Sequence, residues 1–102
     1  MKYRIVLNGV VQGVGCRSLV RGVAKKMNVG GCVRNMENGS VEVYVEAAAD
    51  KFVENLVAEI KRTTENTMVD IMNVKIYNED QNEFYSSKPP KDYSEFRIEH
   101  SF

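Results

Sequence analysis

The chain is poor in the residues that staple or metallate small proteins. It has 2 cysteines, 1 histidine and 2 prolines in 102 residues, and no tryptophan. Cys16 and Cys32 stand apart and form no CxxC pair, which excludes the disulfide framework of a small secreted domain. With His100 the only histidine, no dedicated zinc or transition-metal site is expected, and no cofactor. Charge of one sign is not in excess: 14 Lys+Arg balance 14 Asp+Glu, a formal net charge of zero. Nothing in the bulk electrostatics advertises a nucleic-acid or acidic-membrane partner. No apolar run is long enough to span a bilayer, and no secretory leader opens the sequence. The expectation is a cytoplasmic monomer without membrane or nucleic-acid partners. Hydrophobic residues make up 43%, enough for a real core, so residues 1–102 read as one autonomous domain.

One stretch organises the rest: Val10-Val11-Gln12-Gly13-Val14-Gly15-Cys16-Arg17. Tyr3, Ile5 and Leu7 alternate before it, and Leu19, Val20, Val23, Ala24 and Met27 follow at helical spacing. A strand therefore ends in a glycine-rich loop that opens a helix. Glycines let the backbone turn sharply and approach a ligand closely. The first N–H groups of a helix lack intrahelical partners and carry the positive end of its dipole. Such a loop suits a phosphate or carboxylate. Arg17 meets that dipole with the wrong sign, and a bound anion would reverse the penalty. The alternative is a solvated arginine in an ordinary strand-to-helix turn.

The elements follow in order. A first strand spans Lys2 to Val10 and a first helix Arg17 to Met27, closed by Asn28, Gly30 and Gly31. A short strand, Cys32 to Met36, meets a hairpin signal at Glu37–Ser40, where Asn38-Gly39 would supply positive φ twice. In the third strand Val41, Val43, Val45 and Ala47 read inward, and Glu42, Tyr44 and Glu46 outward. Asp50 can cap a second helix that runs to Arg62. Strand four, Met68 to Tyr77, alternates at Met72, Val74 and Ile76, with a poorer fit before Met72 that suggests a bulge. Asn78 to Asp92 reads as a long surface loop, and Phe96 and Ile98 mark a last short strand.

The order β-α-β-β-α-β with a final strand is that of an α+β, ferredoxin-like sandwich, an antiparallel-dominated sheet with both helices on one face. A crossover helix makes strands one and two parallel, with strand three between them. The glycine loop and Asn35, at the end of strand two, then share one edge of the sheet, two strand spacings or roughly 10 Å apart.

Those residues limit the chemistry. Neither a carboxylate pair nor a metal cluster is expected at that edge, and His100 reads as a solvated residue near the terminus. Alkyl phosphate monoesters are very slow to hydrolyse without such help. A mixed carboxylic–phosphoric anhydride is different, because its carboxylate departs unprotonated. Holding the phosphoryl oxygens and aligning a water in line would suffice. Asn35 can hold that water, its amide offering both donor and acceptor; the alternative is a strand-end residue that starts the turn.

Three segments, Gly9 to Arg17, Gly30 to Asn35 and Asn38 to Glu42, with their spacing and a Phe96-Arg97-Ile98 ending, resemble the acylphosphatase signature. The resemblance implies a small enzyme that cleaves acyl phosphates to carboxylate and orthophosphate, with orthophosphate as product and inhibitor. It puts the phosphate-binding arginine at Arg17 and the water-positioning asparagine at Asn35. The loop Val11, Gln12, Gly13, Val14, Gly15, Cys16 and Arg17 would hold the phosphate. Against the family pattern, Cys16 replaces a phenylalanine, Ser18 a tyrosine and Cys32 an aromatic residue. At a helix N-terminus Cys16 is a conceivable nucleophile, but no histidine base adjoins it in sequence, and an inert thiol is the expectation. The rival class is a non-catalytic ferredoxin-like module that binds a small anion or a protein partner. An RNA-binding variant would need exposed aromatics, for which Tyr3 and Tyr44 are the best offers.

Overall fold

The computed structural model describes residues 1–100. Its elements are β1 (Lys2–Val10), α1 (Cys16–Lys26), β2 (Gly31–Asn35), β3 (Val41–Glu46), α2 (Asp50–Thr64), β4 (Asp70–Asn78) and β5 (Phe96–Ile98). The strands form one sheet in the order β4-β1-β3-β2-β5. β1 pairs antiparallel with β3 and β4, and β2 antiparallel with β3, while β5 joins β2 in parallel. The ferredoxin-like expectation holds, and the C-terminal strand makes the sheet mixed.

Both helices bury apolar stripes against one sheet face. α1 contributes Cys16, Val20, Val23 and Ala24. α2 contributes Val53, Leu56, Val57 and Ile60. They close over Ile5, Leu7, Val33, Val41, Val43 and Val45 from the sheet. Asp50 does not cap α2. Ala49 holds the cap position without a side-chain bond, and the Asp50 carboxylate accepts a hydrogen bond from the Tyr3 hydroxyl at 2.6 Å.

The opposite sheet face departs most from the sequence reading. Glu42 and Tyr44 point to it as expected, yet both are fully buried; only Glu46 is exposed. The segment read as a surface loop covers them. It carries a 3-10 turn, Asn82–Tyr85, whose Phe84 packs edge-on to Tyr44, ring centres 5.2 Å apart. The Tyr44 hydroxyl donates to the Phe84 carbonyl at 2.9 Å. Tyr3 is also buried, so neither tyrosine offers a stacking surface for RNA.

Burying Glu42 requires partners. Arg4 Nε meets it at 2.5 Å and Arg34 Nε at 2.8 Å, and Ser87 donates to it at 3.0 Å. Arg34 also bonds the Lys88 carbonyl and pairs with Glu99 at 3.0 Å, so it ties the covering segment to the strand that ends in Asn35. Glu42→Ala would leave two largely buried guanidinium groups against an empty site. Urea unfolding should show a loss of about 3–5 kcal/mol; a change under 1 kcal/mol would mean that water replaces the carboxylate without penalty.

Two local readings are corrected. The β2–β3 hairpin forms, but only Gly39 takes positive φ, and the Asn38 carboxamide oxygen accepts bonds from the Ser40 N–H and hydroxyl instead. The bulge in β4 is present: Asn8 faces Asn73 while Gly9 faces Ile71, which leaves Met72 as the extra residue. The bulge turns Ile71 onto the face of Val74 and sends Met72 outward, 74% exposed. Ile76, on this edge strand, is 38% exposed.

Candidate active site

The loop from Val11 to Gly15 turns the chain from β1 into α1. The turn uses left-handed backbone at Gly13 (φ 75°) and at Gly15 (φ 84°), a conformation that side-chain-bearing residues rarely adopt. Gly15 is also the cap residue of α1 and brings no side chain to the helix end. The first helical hydrogen bond runs from the Leu19 N–H to the Gly15 carbonyl at 3.2 Å. The amides of Cys16, Arg17 and Ser18 therefore precede the helical ladder, and the positive end of the dipole opens on the loop.

A cleft of about 310 Å³ lies in front of this helix end. Val11, Gly13, Gly15, Cys16, Arg17 and Ser18 line one side, Asn35 the end of β2, and Ile98 and His100 the C-terminal strand. The topology therefore brings Arg17 and Asn35 to one cavity. Gln12 and Val14 are not on its lining. Val14 packs against the core. The Gln12 carboxamide nitrogen donates to the Met36 carbonyl at 2.7 Å and the Ser40 carbonyl at 2.8 Å, which pins the loop to the turn just beyond Asn35.

Arg17 is half-buried and makes no ion pair among the described residues. α1 carries Arg17, Arg21, Lys25 and Lys26 and no carboxylate. Lys25 and Lys26 lie in the last turn, where the dipole favours them; Arg17 lies where it does not. A tetrahedral anion in the cleft would satisfy the helix amides and the guanidinium at once. Sodium phosphate or sulfate should therefore raise the melting temperature above that in sodium chloride at equal ionic strength. Identical melting curves would count against an anion site in this loop.

The acylphosphatase family model matches residues 3–98. The chain belongs to the acylphosphatase family. It is 37% identical over 78 residues to "Acylphosphatase" of Caldivirga maquilingensis, covering 76% of this chain and 81% of the relative. The crystal structure of acylphosphatase from Bacillus subtilis superposes with a TM-score of 0.71 at 26% identity, covering 95% of this chain and 96% of that one. A second kind of relative is much longer: "Probable carbamoyltransferase HypF" of Methanocaldococcus jannaschii is 43% identical over 61 residues, 60% of this chain but 8% of that protein.

In this acylphosphatase, Cys16 borders the loop from Val11 to Gly15 yet is only 1% exposed. Burial pushes its thiol up to about 11, so the nucleophilic thiolate is scarce at neutral pH. Burial likewise pushes Cys32 up to about 12. Cys16→Ser should keep kinetics close to those of the parent chain. A loss of several orders of magnitude in a folded variant would revive a thiol mechanism.

His100 was not foreseen on the acylphosphatase cleft. It is exposed, as the sequence reading had it, but it lines the site. The parallel pairing of β5 with β2 aligns Val33 with Ile98, and two further residues bring His100 level with Asn35. No sequence signal announces that pairing, because a three-residue strand has no usable period.

Proposed function

We propose that the cleft hydrolyses the carboxyl–phosphate bond of acyl phosphates, with Arg17 and the α1 amides holding the phosphoryl oxygens and Asn35 holding the attacking water. Water attacks phosphorus in line, the P–O bond to the acyl group breaks, and its electron pair leaves with the carboxylate. The carboxylate needs no proton to depart, so positioning and charge stabilisation carry the reaction. The carboxamide of Asn35, which offers both donor and acceptor, holds the water so that its lone pair aims at phosphorus. Orthophosphate, released into the same cradle, acts as a competitive inhibitor.

The observation that carries this reading is an arginine without an ion pair among the described residues, on an uncapped helix start, in one cavity with Asn35. The family membership supports the substrate class. The reading further takes the enzyme as a cytoplasmic monomer that requires no metal, which is tested by size-exclusion chromatography and by activity in EDTA. The direct test is an ultraviolet assay with benzoyl phosphate. Turnover that saturates and is inhibited competitively by phosphate supports the reading. Phosphate binding without turnover would leave a ferredoxin-like module that merely holds an anion.

A further inference from the structure

The seam between α1 and β5 continues past the phosphate cleft. Arg17, Arg21 and Lys25 follow one another at four-residue intervals, so they line one face of α1 with a rise of ~6 Å per step. β5 runs alongside, Ile98 toward the cleft and Phe96 away from it. Beyond the cleft the seam opens into a second groove of about 440 Å³, lined by Arg21 and Lys25 on α1 and by Phe96 and Arg97 on β5.

The charge in this groove is one-sided. Among the described residues Glu95 is the one carboxylate on its lining, against Arg21, Lys25 and Arg97. Arg97 is already engaged, with Glu99 at 3.4 Å and the Asp92 carbonyl at 3.1 Å. Arg21 and Lys25 are exposed and form no ion pair among the described residues. Arg21 lies one turn from the arginine that faces the phosphoryl group, with the half-buried Ile98 beside the way and Phe96 buried beneath it. An acyl phosphate seated at Arg17 would direct its carbon skeleton past Ile98 toward Arg21.

We propose that this groove reads a second negative charge on the acyl group, with Arg21 as the residue that holds it. The inference rests on the acyl-phosphate reading of the cleft. The preferred substrates are then acyl phosphates whose acyl part ends in a carboxylate or a further phosphoryl group, either of which fits the guanidinium fork. Lys25 adds to the local potential as a point charge.

The test is calorimetric, with non-hydrolysable acylphosphonates as probes: benzoylphosphonate, its 4-carboxy derivative and its 4-phosphono derivative, each titrated into the parent chain and into Arg21→Gln. Arg21 is exposed, so the variant should fold, as circular dichroism would verify. The parent should bind at least one of the para-charged probes about fivefold more tightly than benzoylphosphonate, in the range of one exposed charge-assisted contact. A preference confined to the 4-carboxy probe assigns a carboxylate, and one confined to the 4-phosphono probe a phosphoryl group. In Arg21→Gln that preference should vanish while the affinity for benzoylphosphonate stays the same. Equal binding of all three probes by the parent, or a preference that survives in the variant, would overturn the groove assignment alone. Failure of benzoylphosphonate itself to bind, with no turnover of benzoyl phosphate, would overturn the acyl-phosphate reading and this inference with it.

Discussion

Arg17→Ala is expected to lose substrate binding and turnover together, with kcat/KM down by about three orders of magnitude or more. Arg17 is half-buried on the cleft and has no ion pair among the described residues, so no other charge there depends on it. Its removal takes the only arginine among the described residues off the cleft lining while the helix amides remain. The dipole argument adds a signature that simple damage would not produce. Without phosphate, the variant should be as stable as the parent or more so by a few tenths of a kcal/mol, because a cation has left the positive end of α1. The stabilisation by phosphate should shrink at the same time. Arg17→Lys should fail nearly as badly in kinetics, since an ammonium keeps the charge but loses the two-pronged geometry. Near-parental kinetics in either variant would remove Arg17 from the mechanism.

Asn35→Ala should give the complementary pattern. Asn35 ends β2, where its backbone pairs with Val41, and the residue lines the cleft across from the helix start. The substitution leaves Arg17 and the loop amides in place, so phosphate should still inhibit competitively with similar affinity. Turnover should fall by about two orders of magnitude or more, because an unaligned water loses the advantage of positioning. If Asn35 only starts the turn, the change should lower stability by about 1 kcal/mol and leave kcat nearly intact. A joint loss of phosphate affinity and kcat would instead assign Asn35 to the shape of the cradle. Both quantities must come from one folded preparation.

The parts of the fold that the sequence made legible are those with a strong period or a distinctive turn. Tyr3, Ile5 and Leu7, and the stripe Val20, Val23 and Ala24, bury as their spacing predicts. Arg17 and Asn35 meet in one cleft because the crossover connection makes β1 and β2 parallel. The misreadings share a cause, which is that burial was judged one element at a time. Glu42 and Tyr44 look outward only while Asn78 to Asp92 is taken as a solvent-facing loop. Phe84 is one apolar residue in a polar stretch, and of the partners of Glu42 only Arg34 stands across the β2–β3 hairpin, while Arg4 lies 38 residues away. Met72 shares the alternation of Val74 and Ile76 in the sequence, and the single extra residue in β4 takes it off their face. His100 and the Arg21 groove depend on the parallel docking of a three-residue strand, which leaves no periodic trace.

The central claim is that a water held in this cleft attacks phosphorus and not the acyl carbon. Hydrolysis of benzoyl phosphate in water enriched in oxygen-18, followed by mass analysis of both products, separates the two. Attack at phosphorus, with the phosphoryl group gripped by Arg17 and the helix amides, predicts one heavy oxygen in the orthophosphate and none in the benzoate. Heavy oxygen in the benzoate would place the attack at the carbonyl and contradict the assigned roles of Arg17 and Asn35.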